Sequence, residues 1–360
     1  MERTSPRAVE ELVGFTSNLL IEHGVPEHQA QVTAQHMLWA DIRGTETHGL
    51  VRLPHYIRRM KSGLLDPKAE PEVKPVMPAA VSVDGGNGLG HPPAHQAMRE
   101  AIDRSRQYGA AVATVRNSGH FGAAGAYSAM AAEEGVIGIV LSNAAALMAP
   151  TGGTEKRVGN NPMSIAVPFG EFPIVLDMAM SAVAAWNIRM AADRGESIPS
   201  TWGLDSEGRA TTDPADIMDR GGLLRPLGDH KGYGLAFMID VLTGALSGGA
   251  FGQDVKRLEE DAPVNASHTC IAIDVEAFMG ANTFEMRVQE MVSRIRSTPL
   301  AAGAEKVLVP GEREAMVARA SEASGIAYPQ DIFASLELLA NECGIDFPKP
   351  LEKTNLTAGR

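Results

Sequence analysis

The stretch that decides the fold reads AAVATV at residues 110–115 and continues as RNSGHFG at 116–122. A run of small aliphatic and β-branched residues that ends in Asn and Gly predicts a buried strand followed by a turn, and the alanine-rich stretch 123–134 predicts a helix after that turn. Similar short apolar runs recur along the chain and predict further strands at 80–83, 136–142, 164–167, 173–176 and 270–275. Helices are predicted near 95–108 and 233–246. The centre of the chain is therefore predicted to be of the α/β (α+β) class, built on a mixed sheet.

Both ends of the chain are predicted to be helical. Residues 8–23 carry Leu12, Phe15 and Leu19 on one side of a helix, and a second helix begins near residue 26. Three more helices are predicted at 283–296, 312–324 and 330–343. We predict that residues 1–75 and 290–345 pack into one helical domain around an inserted sheet domain of residues 76–289. A polar, proline-rich linker is predicted at 65–75, and the tail at 346–360 is predicted to be extended or loosely ordered after Phe347.

Composition excludes several classes of protein. The formal net charge is −12, which argues against nucleic acid because phosphate contacts need a basic face. No apolar run is long enough to span a membrane, and the first residues lack the apolar stretch of a secretory signal, so we predict a cytoplasmic protein. Only Cys270 and Cys343 occur. They are predicted to be free, buried thiols.

The glycines after the 110–115 strand do not make an ordinary dinucleotide-binding loop. Gly119, Gly122 and Gly125 have the spacing G-x-x-G-x-x-G, whereas the Rossmann fingerprint needs G-x-G-x-x-G. The strand that ends near Asn143 also lacks the acidic residue expected to bind the ribose. The four glycines at 85–90 are not a P-loop, because no Gly-Lys-Ser or Gly-Lys-Thr follows them.

Two segments place a histidine beside glycine. The first is Thr47-His48-Gly49, followed by Arg52 and Tyr56, and the second contains Gly119-His120. A guanidinium such as that of Arg52 can grip a carboxylate through two parallel hydrogen bonds, and an imidazole can transfer a proton near neutral pH. Together these segments predict an oxidoreductase acting on a small 2-oxo or 2-hydroxy acid. The alternative is that Arg52 pairs with Asp41 or Glu46 and merely ties the loop down.

The chain resembles the type-2 malate/L-lactate dehydrogenase family, which also holds ureidoglycolate, sulfolactate and diketogulonate oxidoreductases and cyclic-imine carboxylate reductases. The two histidine segments carry the resemblance together with motifs that follow in family order from about residue 8 to 330. These motifs are PTGG at 150–153, GNNP at 159–162, DMA at 177–179, IP at 198–199, TTDP at 211–214, HKGYGL at 230–235 and PGE at 310–312.

The resemblance implies an NAD(P)-dependent homodimer whose cofactor is bound by a non-Rossmann sheet domain. His120 would be the catalytic acid/base, with His48, Arg52 and Thr47 also in the catalytic segment and with Arg52, His48 and Tyr56 binding the substrate. The residues that would contact the cofactor are His120, Ala144, Gly159, Asn161, Asp177, Met178, Ala179 and Lys231. NAD is favoured over NADP because no arginine for a 2′-phosphate is identifiable.

Some positions leave questions open. Lys231 can equally be a solvated lysine at a helix start, and Asp177 is expected to be partly buried because it ends an apolar run. The chain has Thr47 where the family commonly has Ser, Asn160 where Thr is common, and Asn187-Ile188 where Gly-Lys is common.

Three rival functions remain open. One is a cyclic-imine carboxylate reductase of the same family. Another is a metal-dependent hydrolase or lyase using His48, His120 and His230 with Asp177, although the spacing of these residues matches no metal-binding motif and we predict no metal. The last is a protein that binds a nucleotide or organic acid without turnover.

Overall fold

A computed structural model describes residues 3–351, which form twelve α-helices and eleven β-strands. The helices are α1 (Val9–Glu22), α2 (Glu27–Ile42), α3 (Leu53–Lys61), α4 (His91–Tyr108), α5 (Ala124–Glu133), α6 (Ala185–Arg194), α7 (Pro214–Met218), α8 (His230–Asp240), α9 (Val275–Met279), α10 (Ala281–Arg296), α11 (Glu312–Ser324) and α12 (Gln330–Cys343). The strands are β1 (Glu72–Met77), β2 (Ala80–Asp84), β3 (Ala110–Ser118), β4 (Val136–Ser142), β5 (Ala146–Met148), β6 (Val158–Gly159), β7 (Met163–Val167), β8 (Ile174–Met178), β9 (Gly203–Leu204), β10 (Leu223–Leu224) and β11 (Ala266–Asp274). The protein is thus of mixed α/β composition.

The chain divides into two compact units. One is formed by the described parts of 1–62 and 313–360, and the other by 63–312. These boundaries differ from the predicted ones at 75/76 and 289/290. The physical reasons are that β1 pairs with β2 in the sheet and that Val175 of β8 donates a hydrogen bond to Pro310 O, so both flanking segments belong to the sheet unit.

In the first unit the two ends of the chain pack together. Arg7 and Ile326 exchange two backbone hydrogen bonds of 2.9 Å, and α12 contacts both α1 and α3. The tail has no regular secondary structure as far as residue 351, as an extended segment would, but it is not loosely ordered there. Phe347 packs edge-on against Phe15 and Phe333, each at 4.8 Å between ring centroids, and Arg7 Nε donates to Pro348 O. Residues 352–360 lie outside the described part of the chain.

The second unit is built on a seven-stranded sheet of order β1-β2-β3-β11-β4-β7-β8. Within it β2 and β3 are parallel and the other neighbouring pairs are antiparallel. The small residues of α5 let it pack closely on the sheet, where a Cβ at Gly138 of β4 would lie 2.6 Å from Ser128 O. A four-stranded sheet, β6-β5-β10-β9, covers a separate apolar cluster that includes Met148, Met180 and Ile188.

The predicted linker at 65–75 is partly wrong, because its last residues form β1. That strand lies at the edge of the sheet, where Pro75 costs no ladder hydrogen bond. Helices α3 and α6 and the smaller sheet were also missed. Cys270 is buried as predicted, but Cys343 is only partly buried. Among the described helices, none combines the length and apolarity that a membrane span needs.

Candidate active site

The first candidate segment is a turn held by the carboxylate of Asp41. Asp41 Oδ2 accepts hydrogen bonds from Leu50 N at 2.9 Å and from the Tyr328 hydroxyl at 2.8 Å. Gly49 lies against the same carboxylate, and a Cβ there would come within 1.8 Å of Asp41 Oδ1, so only glycine fits. Burial raises the pKa of Asp41 to about 7. The sequence T-H-G therefore needs its glycine for close packing on Asp41.

This turn brings His48, Arg52 and Tyr56 into one electrostatic environment. Thr47 Oγ1 lies 2.9 Å from His48 Nδ1, and Arg52 Nε donates to Thr47 O at 2.7 Å. Burial, with a smaller contribution from Arg52, lowers the pKa of His48 to about 4, so its imidazole is neutral at physiological pH. Tyr56 is buried on α3, and burial raises the pKa of its hydroxyl.

The alternative pairing of Arg52 with Asp41 or Glu46 is wrong. Asp41 is bound as described above, and Glu46 instead pairs with Arg3 at 2.8 Å. Across residues 3–351 no carboxylate lies within 4.0 Å of the Arg52 guanidinium. A partly buried cation that lacks an internal acid and is held by its Nε is suited to bind an anionic ligand.

The second candidate segment is the turn that carries His120 after β3. Its imidazole Nδ1 accepts a hydrogen bond of 3.3 Å from Gly122 N, and Gly122 has a φ of 77°, which favours glycine. Because Nδ1 accepts this hydrogen bond, it carries no hydrogen, and the hydrogen of the neutral ring is on Nε2. His120 itself is partly buried. The ring can therefore donate a hydrogen bond from Nε2 to a ligand.

The glycines at 85–90 support this turn, which explains a motif that the sequence left without a role. A Cβ at Gly90 would lie 2.4 Å from Gly119 O and 2.6 Å from the carbonyl of His120, and one at Gly119 would lie 2.6 Å from Gly88 O. The two backbones thus touch without side chains between them. Asp84 adds to the support, since its carboxylate accepts from Asn117 Nδ2 and from Arg116 Nε at 3.0 Å.

Asp177 lies at the end of β8 beside the start of α5. Its Oδ2 accepts a hydrogen bond of 2.8 Å from Gly125 N, in the first turn of that helix. The expectation that Asp177 is partly buried is wrong, because its side chain is exposed at an edge strand. Met178 and Ala179 follow it and are partly buried.

Three of the predicted cofactor residues form one tightly packed cluster. Asn161 is fully buried, and its Oδ1 accepts from Ala144 N at 2.9 Å while its Nδ2 donates to Ala236 O at 2.8 Å. A Cβ at Gly159 would lie 2.2 Å from Ala144 O. Asn161 and Gly159 therefore hold the backbone of Ala144 in place after β4.

Lys231 is exposed in the first turn of α8, and His230 beside it is exposed too. The departures from the family pattern lie elsewhere. Asn160 accepts a backbone hydrogen bond from Met180 N at its carbonyl, Asn187 is exposed, and Ile188 is fully buried in the apolar cluster under the smaller sheet. Within residues 3–351 no three His, Cys, Asp or Glu side chains are grouped as metal ligands would be.

Sequence reasoning missed a buried polar group behind the His120 turn. His268 on β11 is fully buried, with Ser118 Oγ 2.8 Å from its Nε2 and Ser142 Oγ 2.9 Å from its Nδ1. It lies two residues before the apolar run 270–275 that predicted β11. No local pattern marks it, because its partners are far away along the chain.

Comparison with known proteins defines the class first. The sequence profile described as Malate/L-lactate dehydrogenase matches residues 8–337. Malate dehydrogenase of Pyrococcus abyssi is 35% identical over 344 residues, which cover 93% of this chain and 94% of that protein. The NADP(+) (2R)-3-sulfolactate dehydrogenase of Chromohalobacter salexigens is 38% identical over 71% of this chain and 77% of its own. The NAD(+) ureidoglycolate dehydrogenase of Escherichia coli O157:H7 is 31% identical over 91% of this chain and 93% of its own.

The structure leads to the same class. Sulfolactate dehydrogenase from Methanocaldococcus jannaschii superposes with a TM-score of 0.88 at 34% identity, over 95% of this chain and 98% of the other. The chain belongs to the malate/L-lactate dehydrogenase family and is an oxidoreductase of the dehydrogenase type.

Proposed function

We propose that this protein transfers hydride reversibly between a nicotinamide dinucleotide and a small 2-hydroxy or 2-oxo acid. The observation that carries the proposal is the Arg52 guanidinium, which has no acid among the described residues and lies beside the neutral His48. Because the chain has a formal net charge of −12, its overall field does not attract an anion, and a local cation such as Arg52 is what attracts a substrate carboxylate.

The chain's own groups have distinct tasks in this mechanism. Arg52 holds the substrate carboxylate through two parallel hydrogen bonds, while His48 and Tyr56 offer polar contacts from the same segment. His120 exchanges a proton with the substrate oxygen: it gives the proton when the carbonyl is reduced and takes it back when the hydroxyl is oxidised. The form that gives the proton is the imidazolium, which carries a hydrogen on each ring nitrogen. After Nε2 has given its proton, the neutral ring keeps its hydrogen on Nδ1, which the long 3.3 Å contact from Gly122 N allows.

The residues near β8 and α8 fit a dinucleotide by the chemistry of their side chains. The exposed carboxylate of Asp177 can accept hydrogen bonds from a ribose diol, and the exposed ammonium of Lys231 can pair with a phosphate. Met178 and Ala179 offer apolar contacts directly after Asp177, and Ala144 offers a small one after β4. When bound, the nicotinamide supplies or accepts the hydride. The mostly antiparallel sheet supports binding outside a Rossmann fold.

The cofactor proposed is NAD. A carboxylate that binds a ribose hydroxyl repels a 2′-phosphate, so the exposed Asp177 favours the unphosphorylated dinucleotide. The relatives named above include one NADP(+) and one NAD(+) enzyme, so homology alone does not decide. Replacing Asp177 by Ser should lower the ratio of kcat/KM for NADH to that for NADPH, and an unchanged ratio would remove Asp177 from the cofactor site.

The experiment that tests this function follows NADH and NADPH absorbance with a panel of 2-oxo acids carrying a methyl, a second carboxylate, a sulfonate or a ureido group. Cyclic imine acids are included as the second substrate class. With cofactor deuterated at C4, the product should gain one mass unit, because the hydride passes directly. Oxidation of neither cofactor with any compound, despite measurable cofactor binding, would contradict the proposal and favour a binding protein.

We further propose that the protein is a homodimer. Large apolar side chains are exposed along α8 and the helical segment 241–246 that continues it: Leu235, Phe237, Met238, Leu242 and Leu246. An exposed apolar patch of this kind is typical of an interface. Light scattering should give twice the 38.1 kDa chain mass, and the double variant Met238→Glu, Leu246→Glu should give the monomer mass. Leu338→Glu, at an exposed leucine on α12, is the control that keeps the dimer. A wild type of 38.1 kDa would contradict it.

A further inference from the structure

A single buried imidazole connects the ends of two strands that lead into the proposed site. His268 lies on β11, which pairs with β3 on one side and β4 on the other. Its Nε2 lies 2.8 Å from the hydroxyl of Ser118, the last residue of β3, and its Nδ1 lies 2.9 Å from the hydroxyl of Ser142, the last residue of β4. The ring therefore ties both strand ends to the strand between them.

The two serines have equivalent places in the chain. Ser118 stands two residues before His120, and Ser142 stands two residues before Ala144. Each serine hydroxyl also reaches a carbonyl at the start of the segment that follows, with Ser118 Oγ 3.1 Å from Gly119 O and Ser142 Oγ 2.8 Å from Asn143 O. A displacement of the His268 ring would thus displace both the His120 turn and the Ala144 segment.

Stacking adds a second contact between His268 and the His120 turn. The ring of Phe121, which follows His120 directly, stacks on His268 with a centroid distance of 4.1 Å and an interplanar angle of 11°. Tyr127 stacks on Phe121 at 5.1 Å, and its hydroxyl donates to Phe121 O. The residue next to His120 is thus fixed at both its ring and its backbone.

The charge state of His268 suits this bridging role. Burial, with a smaller contribution from His91, lowers the pKa of His268 to about 3, so the ring is neutral at working pH. A neutral imidazole donates from one nitrogen and accepts at the other, and a serine hydroxyl can do either. Both serine–imidazole hydrogen bonds therefore form without burying a charge: one serine accepts from the ring and donates to its carbonyl, and the other donates to the ring instead.

We propose that His268 is a positioning residue that sets the orientation of the His120 turn and of the Ala144 segment at the same time. This inference rests on the proposed function, because it gives His120 the proton transfer and Ala144 a cofactor contact. His268 acts through Ser118 on the proton-transfer side and through Ser142 on the cofactor side. The two effects are separable, because each serine serves one side.

Three variants test the inference. His268→Phe keeps a ring to stack on Phe121 and removes both hydrogen bonds, while Ser118→Ala and Ser142→Ala remove one each. We expect His268→Phe to lower kcat about 10- to 100-fold, as small misplacements of catalytic groups do, and to raise the Kd of the nicotinamide cofactor. Ser118→Ala should lower kcat with little change in the cofactor Kd, and Ser142→Ala should do the reverse. Ser118→Ala should add nothing to His268→Phe in the double variant.

The control is Cys270→Ala, a truncation at another fully buried position on β11. It should lower the melting temperature without altering kcat or the cofactor Kd. Hydrogen exchange of peptides covering 117–122 and 142–147 gives a readout that needs no activity, and both should exchange faster in His268→Phe but not in Cys270→Ala.

Two outcomes overturn the inference: a His268→Phe protein that is only less stable, with unchanged kcat, Kd and exchange, or equal effects of the two serine variants on both constants. Wild type that oxidises no NAD(P)H would contradict the proposed function instead, and the exchange experiment would still decide whether His268 orders the two segments.

Discussion

Replacing Arg52 by Ala should remove most of the protein's preference for substrates with a carboxylate. The Arg52 side chain is held at Nε by Thr47 O at 2.7 Å, which leaves its Nη groups facing no internal acid. Two hydrogen bonds to a charged carboxylate contribute about 1.5–3 kcal/mol each. Losing both corresponds to a decrease in kcat/KM on the order of 10²- to 10⁴-fold.

The loss should appear mainly as a higher KM, because the carboxylate is held equally in the ground and transition states. The assay is NAD(P)H oxidation with the best 2-oxo acid of the panel and with its methyl ester. Wild type should use the ester poorly, and Arg52→Ala should lower that activity no further. Arg52→Lys should fall between the two proteins, since lysine keeps the charge but not the planar fork.

The matched control is Arg58→Ala, which removes an exposed arginine from α3, the helix that begins directly after Arg52, and should leave kcat/KM unchanged. The reasoning is refuted if Arg52→Ala retains wild-type kcat/KM within about threefold, well below the range above. It is also refuted if the ester and the acid lose activity equally.

Three other perturbations probe the same segments. Because burial raises the pKa of Asp41 to about 7, its stabilising contribution is present below pH 4 and is lost as pH rises through 7. Asp41→Asn should remove this pH dependence of the free energy of unfolding, which is on the order of 4 kcal/mol. The melting temperatures of wild type and Asp41→Asn should therefore converge or cross between pH 4 and 8. Gly90→Ala would press on the His120 carbonyl and should lower kcat together with stability, by about 1–3 kcal/mol, whereas Gly14→Ala, with open space around it, should not destabilise. Since the pKa of His48 is about 4, kcat/KM of His48→Gln should be lower but keep the wild-type pH profile from 5.5 to 8; a profile that changes shape would contradict a neutral His48.

Much of the fold was predictable where the signal is local. The strands β3 and β4 begin where their apolar runs begin, and the bounds of α11 and α12 follow from the prolines and glycines around them. β1 was not predictable, because it is mostly exposed and lacks an alternating apolar pattern. The strands of the smaller sheet are two or three residues long, too short for any periodicity to show.

The site was predictable only in part, for the same physical reason. The spacing of His48, Arg52 and Tyr56 is local, so the sequence could group them. Their support is not local: Asp41 is bound by Tyr328, 287 residues away, and His268 reaches Ser118 across 150 residues. Such contacts depend on how distant elements pack and leave no mark in a short window.

The measurement that tests the central claim most directly compares wild type with His120→Asn, in single turnovers at saturating NAD(P)H and 2-oxo acid. Asparagine keeps a polar side chain but cannot transfer a proton near neutral pH, so the rate should fall about 10²- to 10⁴-fold while the cofactor Kd stays close to that of wild type. A variant that binds the cofactor normally and still turns over at nearly the wild-type rate would contradict the assignment of His120 as the acid/base.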